Sequence, residues 1–219
     1  MKPLLLAIAF FAVTTTALAQ NEKYVQAMQT NITLFDTTRS VEGLAQLAHA
    51  FERIALAEKK QWLPYYYAAL VQVNRGYNLL GGGMGGDPTV IDPIADKAEA
   101  LISQADALNP NQSEVYVVKK MIYSLRFMVD PQSRYMQYGP QAQQALERAK
   151  KLNPENPRVY LLEGQDKFYT PEQFGGSKAE AKKLFEQALQ KFDTFKPHTA
   201  LDPAWGKGMT QYFISQASK

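Results

Sequence analysis

Residues 142–164, AQQALERAKKLNPENPRVYLLEG, read as the end of one helix, a turn and the start of the next. Ala142, Leu146 and Ala149 fall at i, i+4 and i+7, one face of a 3.6-residue period, with Gln143, Glu147, Arg148 and Lys150 facing away. Small residues at both ends of that face let a neighbouring helix approach closely. Leu152-Asn153-Pro154 forms the turn. Asn156 then offers a side-chain oxygen to the free amides of a new helix, and Pro157 suits its first position, where an amide has no intrahelical acceptor. Tyr160 presents a large apolar body to the hairpin interior, and Gly164, one turn on, leaves room for a facing helix.

The same grammar recurs along the chain. ALNPNQSEVY (107–116) matches KLNPENPRVY (151–160) 44 residues later, and Ala98, Ile102 and Ala105 repeat the small-large-small face in the same register. Ala181, Phe185 and Ala188 give a third copy. Helix-opening aromatics are expected at Tyr66, Tyr116, Tyr160 and Trp205, separated by 50, 44 and 45 residues. Self-similarity at a period of about 20–50 residues marks an array in which each unit buries its apolar face against its neighbours. The expected fold is all-α: an α-solenoid of about four antiparallel helical hairpins plus a C-terminal capping helix.

In these features the chain resembles the tetratricopeptide repeat (TPR) family, with lengthened loops. That family's two-helix unit carries an aromatic and a small residue in its first helix, an Ala-large-Ala pattern in its second, and a closing proline. Tyr160 with Gly164, the face of Ala142, Leu146 and Ala149, and Pro154 fill those places. Two positions depart: Lys120 stands where a small residue belongs, and Asp193 where the third closing proline belongs. The likeness spans roughly residues 40–216. The segment Arg134 to Pro197 is also similar to tetratricopeptide proteins exported by Bacteroidetes. GGSKAEAKKLFEQAL (175–189) is similar to periplasmic tetratricopeptide subunits that accompany some solute transporters.

The opening MKPLLLAIAFFAVTTTALAQ has a basic Lys2, an apolar run from Leu4 to Val13 and small residues before Gln20, the pattern of a secretory signal peptide cleaved after Ala19. The run is too short to span hydrocarbon, which takes about 20 residues. Residues 20–219 are then expected to form a single domain with no membrane span, exported to the periplasm or secreted. The sequence contains no cysteine, which excludes a lipoprotein anchor, disulfides and thiolate metal sites. Removing the leader takes the formal charge from +3 to +2, and the lysine pairs are spread through the repeats, so a basic stripe for nucleic acid is absent.

In chain order, Asn21 to about Leu34 and Val41 to about Lys60 read as a first hairpin. Pro64 is expected to start a helix ended near Asn78 by GGGMGGDP (81–88); that run lacks the Gly-Lys-Ser/Thr and the preceding strand of a phosphate loop. Asp92-Pro93 is expected to restart a helix, and Asp87, Asp92 and Asp96 lack the spacing of an EF-hand. VDPQSRYMQYG (129–139) reads as a long loop, with Arg126, Arg134, Tyr135 and Tyr138 either packing it or forming a recognition edge. Ser177 and Glu180 have capping-box spacing. Asp202 and Pro203 are expected to start the terminal helix, whose Trp205, Met209, Tyr212 and Phe213 cover the open end of the array.

No catalytic constellation stands out. His49 and His198 lie far apart, no HExxH or Gly-x-Ser-x-Gly motif occurs, and the carboxylate pairs fall beside lysines on helix surfaces. No metal, cofactor or catalytic residue is nominated. In TPR arrays the first helix of each repeat lines a concave groove, so the resemblance nominates Tyr67, Val71, Asn74 and Arg75, then Val117, Met121 and Leu125, then Arg158, Leu161, Gln165 and Phe168. The competing reading of each is ordinary interhelix core. The expected function is a non-enzymatic envelope scaffold that binds a protein or peptide through this groove. The alternative is a periplasmic solute-binding protein associated with transport, taking an amphipathic small molecule. A structural role in assembly and an enzyme are the remaining classes.

Overall fold

The computed structural model describes residues 22–218. The expected leader, 1–19, lies outside the described residues. Nine α-helices and one 3-10 turn follow each other with no strand among the described residues: α1 (22–37), α2 (Val41–Ala57), α3 (Trp62–Leu79), α4 (Pro88–Leu108), α5 (Ser113–Val129), α6 (Pro131–Leu152), α7 (Pro157–Tyr169), α8 (Lys178–Thr194) and α9 (Lys207–Ala217). Each helix from α2 onward packs on its sequence neighbour, most extensively within α2/α3, α3/α4, α5/α6 and α7/α8, and α3 also reaches α5. The fold is all-α. One buried apolar cluster runs from Tyr24 and Met28 in α1 to Phe213 in α9.

Local chemistry explains the start of each element. Asn156 accepts from the Arg158 amide at 3.0 Å with Pro157 at the first helical position, as its sequence predicts. Ser177 accepts from the Glu180 amide, but the Glu180 carboxylate turns to Lys167 at 2.8 Å instead of completing a capping box. The predicted faces are buried as units: Ala98, Ile102 and Ala105; Ala142, Leu146 and Ala149; Ala181, Phe185 and Ala188. Lys120, out of place for a small residue, sends its ammonium to Asp166 in α7 at 2.6 Å, and Asp193 pairs with Lys207 at 2.8 Å.

Three expected boundaries are corrected. α4 begins at Pro88, capped by Asp87, so Asp92-Pro93 lies inside it. The stretch 131–139 is not a loop: α6 starts at Pro131, capped by Asp130, and runs through Pro140. Both internal prolines are exposed, where solvent can satisfy the carbonyl left without its amide partner. The register across that stretch is held by Arg134, which grips Asp92 through two hydrogen bonds of 2.7 and 2.8 Å, and by Arg126, which reaches Asp96 and Glu99 and lies 5.7 Å from the Tyr138 ring. α9 starts at Lys207 behind Gly206 (φ +113°), not at Pro203, and residues 195–206 form an irregular strap.

Gly164 faces the Phe185 ring so closely that a Cβ there would lie 2.5 Å from it. Gly164→Ala is therefore expected to destabilise by about 1–3 kcal/mol through overpacking. Urea unfolding checks this, and Phe185→Leu in the same chain should recover part of the loss.

Candidate functional site

Seven of the eleven groove residues nominated from the sequence are buried: Tyr67, Val71, Val117, Met121, Leu125, Arg158 and Leu161. Asn74, Arg75, Gln165 and Phe168 are half-buried. The expectation of an open lining is thus corrected for those seven: Val71, Val117, Met121 and Leu125 are interhelix core, and Tyr67 and Arg158 are covered by the strap. Residues 195–206 cross the amino-terminal ends of α3 and α7, where side chains capture their backbone. The Tyr67 hydroxyl donates to the Leu201 carbonyl at 3.0 Å, and Arg158 Nη2 donates to the Pro203 carbonyl at 2.5 Å. Trp205 Nε1 donates to the Tyr66 hydroxyl at 2.9 Å.

Arg158 is the centre of this closure. Its guanidinium is fully buried (0 % exposed), 5.1 Å from the rings of both Phe195 and Trp205 and 5.6 Å from Phe192. Nη1 donates to Glu114 at 2.9 Å, and that carboxylate also accepts from Asn156 at 2.9 Å and Tyr66 at 3.1 Å. A buried cation needs this combination of counter-ion, acceptors and ring faces. Burial pushes the Glu114 carboxyl above its usual range, with the Arg158 charge and the hydrogen bonds opposing it.

At the other end of α7 the chain leaves an aromatic shelf open. Phe168 and Phe213 lie 5.6 Å apart, with Phe213 stacked on Phe185 at 5.1 Å. Tyr169 packs edge-on to both, at 5.2 and 5.9 Å, and Tyr212 to Phe213 at 5.5 Å. Tyr169 and Tyr212 remain 55 % and 59 % exposed, and Met209 42 %, its sulfur accepting from Gln165 Nε2 at 3.4 Å. The loop before α8 sets the rim. A Cβ on Gly176 would sit 1.7 Å from the Thr170 carbonyl oxygen, so only glycine permits the fold-back that puts Lys178 Nζ 5.8 Å from the Phe168 ring. Gln165 and Phe168, nominated from the sequence, belong to this shelf. Met209 and Tyr212 were expected only as part of the cap and Tyr169 was not singled out, because their exposure depends on how α9 docks.

A cleft of about 340 Å³ between α4 and α5 is lined by Asp106, Asn111, Tyr116 and Lys119. Its groups already satisfy one another: Lys119 bonds Asp106 at 2.6 Å and sits 4.8 Å from the Tyr116 ring. One repeat later the corresponding Tyr160 is flanked by Lys150 and Lys191, each 4.9 Å from its ring. The cleft is a repeat-turn feature. Among the described residues no group of histidine, aspartate and glutamate side chains could hold a metal ion, and no helix is long and apolar enough to cross a membrane.

Arg158→Met, which leaves Glu114 buried without its counter-ion, is expected to cost about 3–5 kcal/mol, read as a drop in urea midpoint. Glu114 adds a pH signature. Its carboxyl titrates higher folded than unfolded, so its stabilising share is complete below about 4.5 and is lost as pH rises through the folded value. A urea-midpoint profile from pH 4 upward should carry that falling component, and Glu114→Gln should remove it.

No protein-family profile and no curated protein matches the chain. Among solved structures, the HusA haemophore from Porphyromonas gingivalis is similar, with 30 % sequence identity and a TM-score of 0.78 over 89 % of this chain and 92 % of that one. At that identity and coverage the likeness is one of descent as well as of fold, and the chain belongs to the family of the HusA haemophore.

Proposed function

We propose that the protein is a non-catalytic carrier that holds a flat, amphipathic tetrapyrrole of the haem class on the aromatic shelf of α7 and α9, after export to the periplasm or beyond. The observation that carries this reading is the 30 % identity to a haemophore across 92 % of that protein's chain. The shelf fits the chemistry, offering exposed ring faces and a thioether to a planar apolar ligand. The strap supports a small ligand over a peptide: it occupies the amino-terminal ends of the helices from which a tetratricopeptide groove would be built. The tetratricopeptide reading of the array itself is supported by the burial of its three small-large-small faces and by the Glu114–Arg158 bond between equivalent positions 44 residues apart.

Ring stacking, rather than iron ligation, is the proposed mode of attachment. His49 lies on α2 and His198 in the strap, both away from the shelf. Burial, with Tyr212 beside it, pushes the Tyr169 hydroxyl up, which keeps it protonated at neutral pH and disfavours a tyrosinate ligand. Asn74 and Arg75, half-buried on α3, remain the other nominated residues with access to solvent.

Titration of the mature protein with haemin and with metal-free protoporphyrin IX, followed by absorbance and by quenching of protein fluorescence, tests the proposal. Saturable binding of both rings is expected. Tyr169→Ala and Tyr212→Ala should each weaken it by roughly tenfold, whereas the phenylalanine variants should stay within about threefold of wild type. Absence of saturable binding by either ring would overturn the reading.

A further inference from the structure

Lys178 is the one feature of the shelf that its packing does not require. Its ammonium has no carboxylate partner among the described residues. The acid of the same helical turn, Glu180, is taken by Lys167, which also donates to the Gly175 carbonyl at 3.1 Å. Lys178 is exposed and is the first residue of a 17-residue helix, whose amino-terminal partial charge adds to its own. It stands over the Phe168 ring, 5.8 Å from its centre, and that ring is continuous through Phe213 with Tyr169 and Tyr212. An unpaired cation fixed at the rim of an apolar plane matches a ligand that is flat, apolar across its faces and acidic at one margin.

We propose that Lys178 is a specificity-determining residue that engages a peripheral carboxylate of the ligand, making the shelf selective for acidic tetrapyrroles over their neutral esters. The inference rests on the tetrapyrrole reading and adds to it an orientation: the acidic margin lies toward the start of α8 and the apolar margin toward Tyr212. The rigid loop makes this possible, since the Ser177 amide donates to the Lys167 carbonyl at 2.9 Å and Gly176 to Pro171 at 3.2 Å, tying the base of α8 to the end of α7. Because the charge is solvent-exposed, its attraction is expected to weaken as salt rises.

The probes are protoporphyrin IX and its dimethyl ester, titrated into the full mature protein at low and at 0.5 M salt. Wild type is expected to prefer the acid by roughly five- to tenfold at low salt. Lys178→Met should erase the preference by weakening only the acid, Lys178→Arg should restore most of it, and Lys59→Met, which removes the same charge far from the shelf, should change neither. Thermal unfolding of the Lys178 variants should stay close to wild type, since the side chain is exposed, makes no ion pair and touches another helix only through the Phe168 ring. Equal binding of acid and ester by wild type, or a preference that survives in Lys178→Met, would overturn this inference while leaving the carrier reading intact. Binding of neither probe would overturn the carrier reading and this inference with it.

Discussion

The burial of Arg158 constrains the rest of the molecule. A guanidinium with no exposed surface needs a counter-ion, acceptors and ring faces around it, and here three separate parts of the chain supply them to its two terminal nitrogens and its faces, while Nε stays buried without a partner. Glu114 comes from α5, the Pro203 carbonyl and Trp205 from the strap, Phe192 from α8, and Asn156 shares its carboxylate from the turn before α7. Tyr66 of α3 closes the set through Glu114 and Trp205. The strap supplies one carbonyl and two ring faces to this charge, so Arg158, together with Tyr67 and Tyr66, ties the strap and the start of α9 beyond it to the array.

That closure decides where a ligand can go. Tyr67 of α3 and Arg158 of α7, near the starts of their helices, are spent on the strap's backbone, whereas the opposite end of α7 and the outer side of α9 are among the apolar surfaces still facing water, as are Tyr135 and Met136 on α6. Tyr169 and Tyr212 are the large rings there without a full set of neighbours. Their partners beneath, Phe168, Phe185 and Phe213, are packed tightly enough to act as a firm base. A rigid, half-finished aromatic stack suits a planar ligand, because little conformational entropy is lost when the missing ring arrives.

The repeat supplies the frame on which both devices are built. Glu114 and Arg158 stand at corresponding positions of adjacent units, 44 residues apart, and bond one another, while Tyr77 to Met121 and Gln165 to Met209 join adjacent units at other registers. Asp106 with Lys119 and Lys150 with Glu163 occupy equivalent places with their charges exchanged. Such a pair needs opposite charges at a fixed distance but does not care which side carries which, so the geometry is kept while the residues swap.

How much of this was legible in the sequence depended on the range of the interaction. Helix identity, the buried small-large-small faces, the Asn156 cap and the repeat period follow from side-chain periodicity and local hydrogen bonding, which act within a few residues. Pro93 and Pro140 misled at helix boundaries because their tolerance depends on facing solvent, a property of packing rather than of the residues themselves. Lys120 looked like a defect until Asp166 was seen opposite it. The groove failed for the same reason: nothing near Tyr67 or Arg158 in the chain announces that residues 195–206 will return across them. The sequence by itself determined an all-helical array with units spaced by 44 to 50 residues, and only the tertiary structure decided which faces of that array are closed and which stay open. Closure is made by contacts 45 to 139 residues apart, Arg158 to Pro203, Tyr67 to Leu201 and Tyr66 to Trp205, which no local pattern encodes.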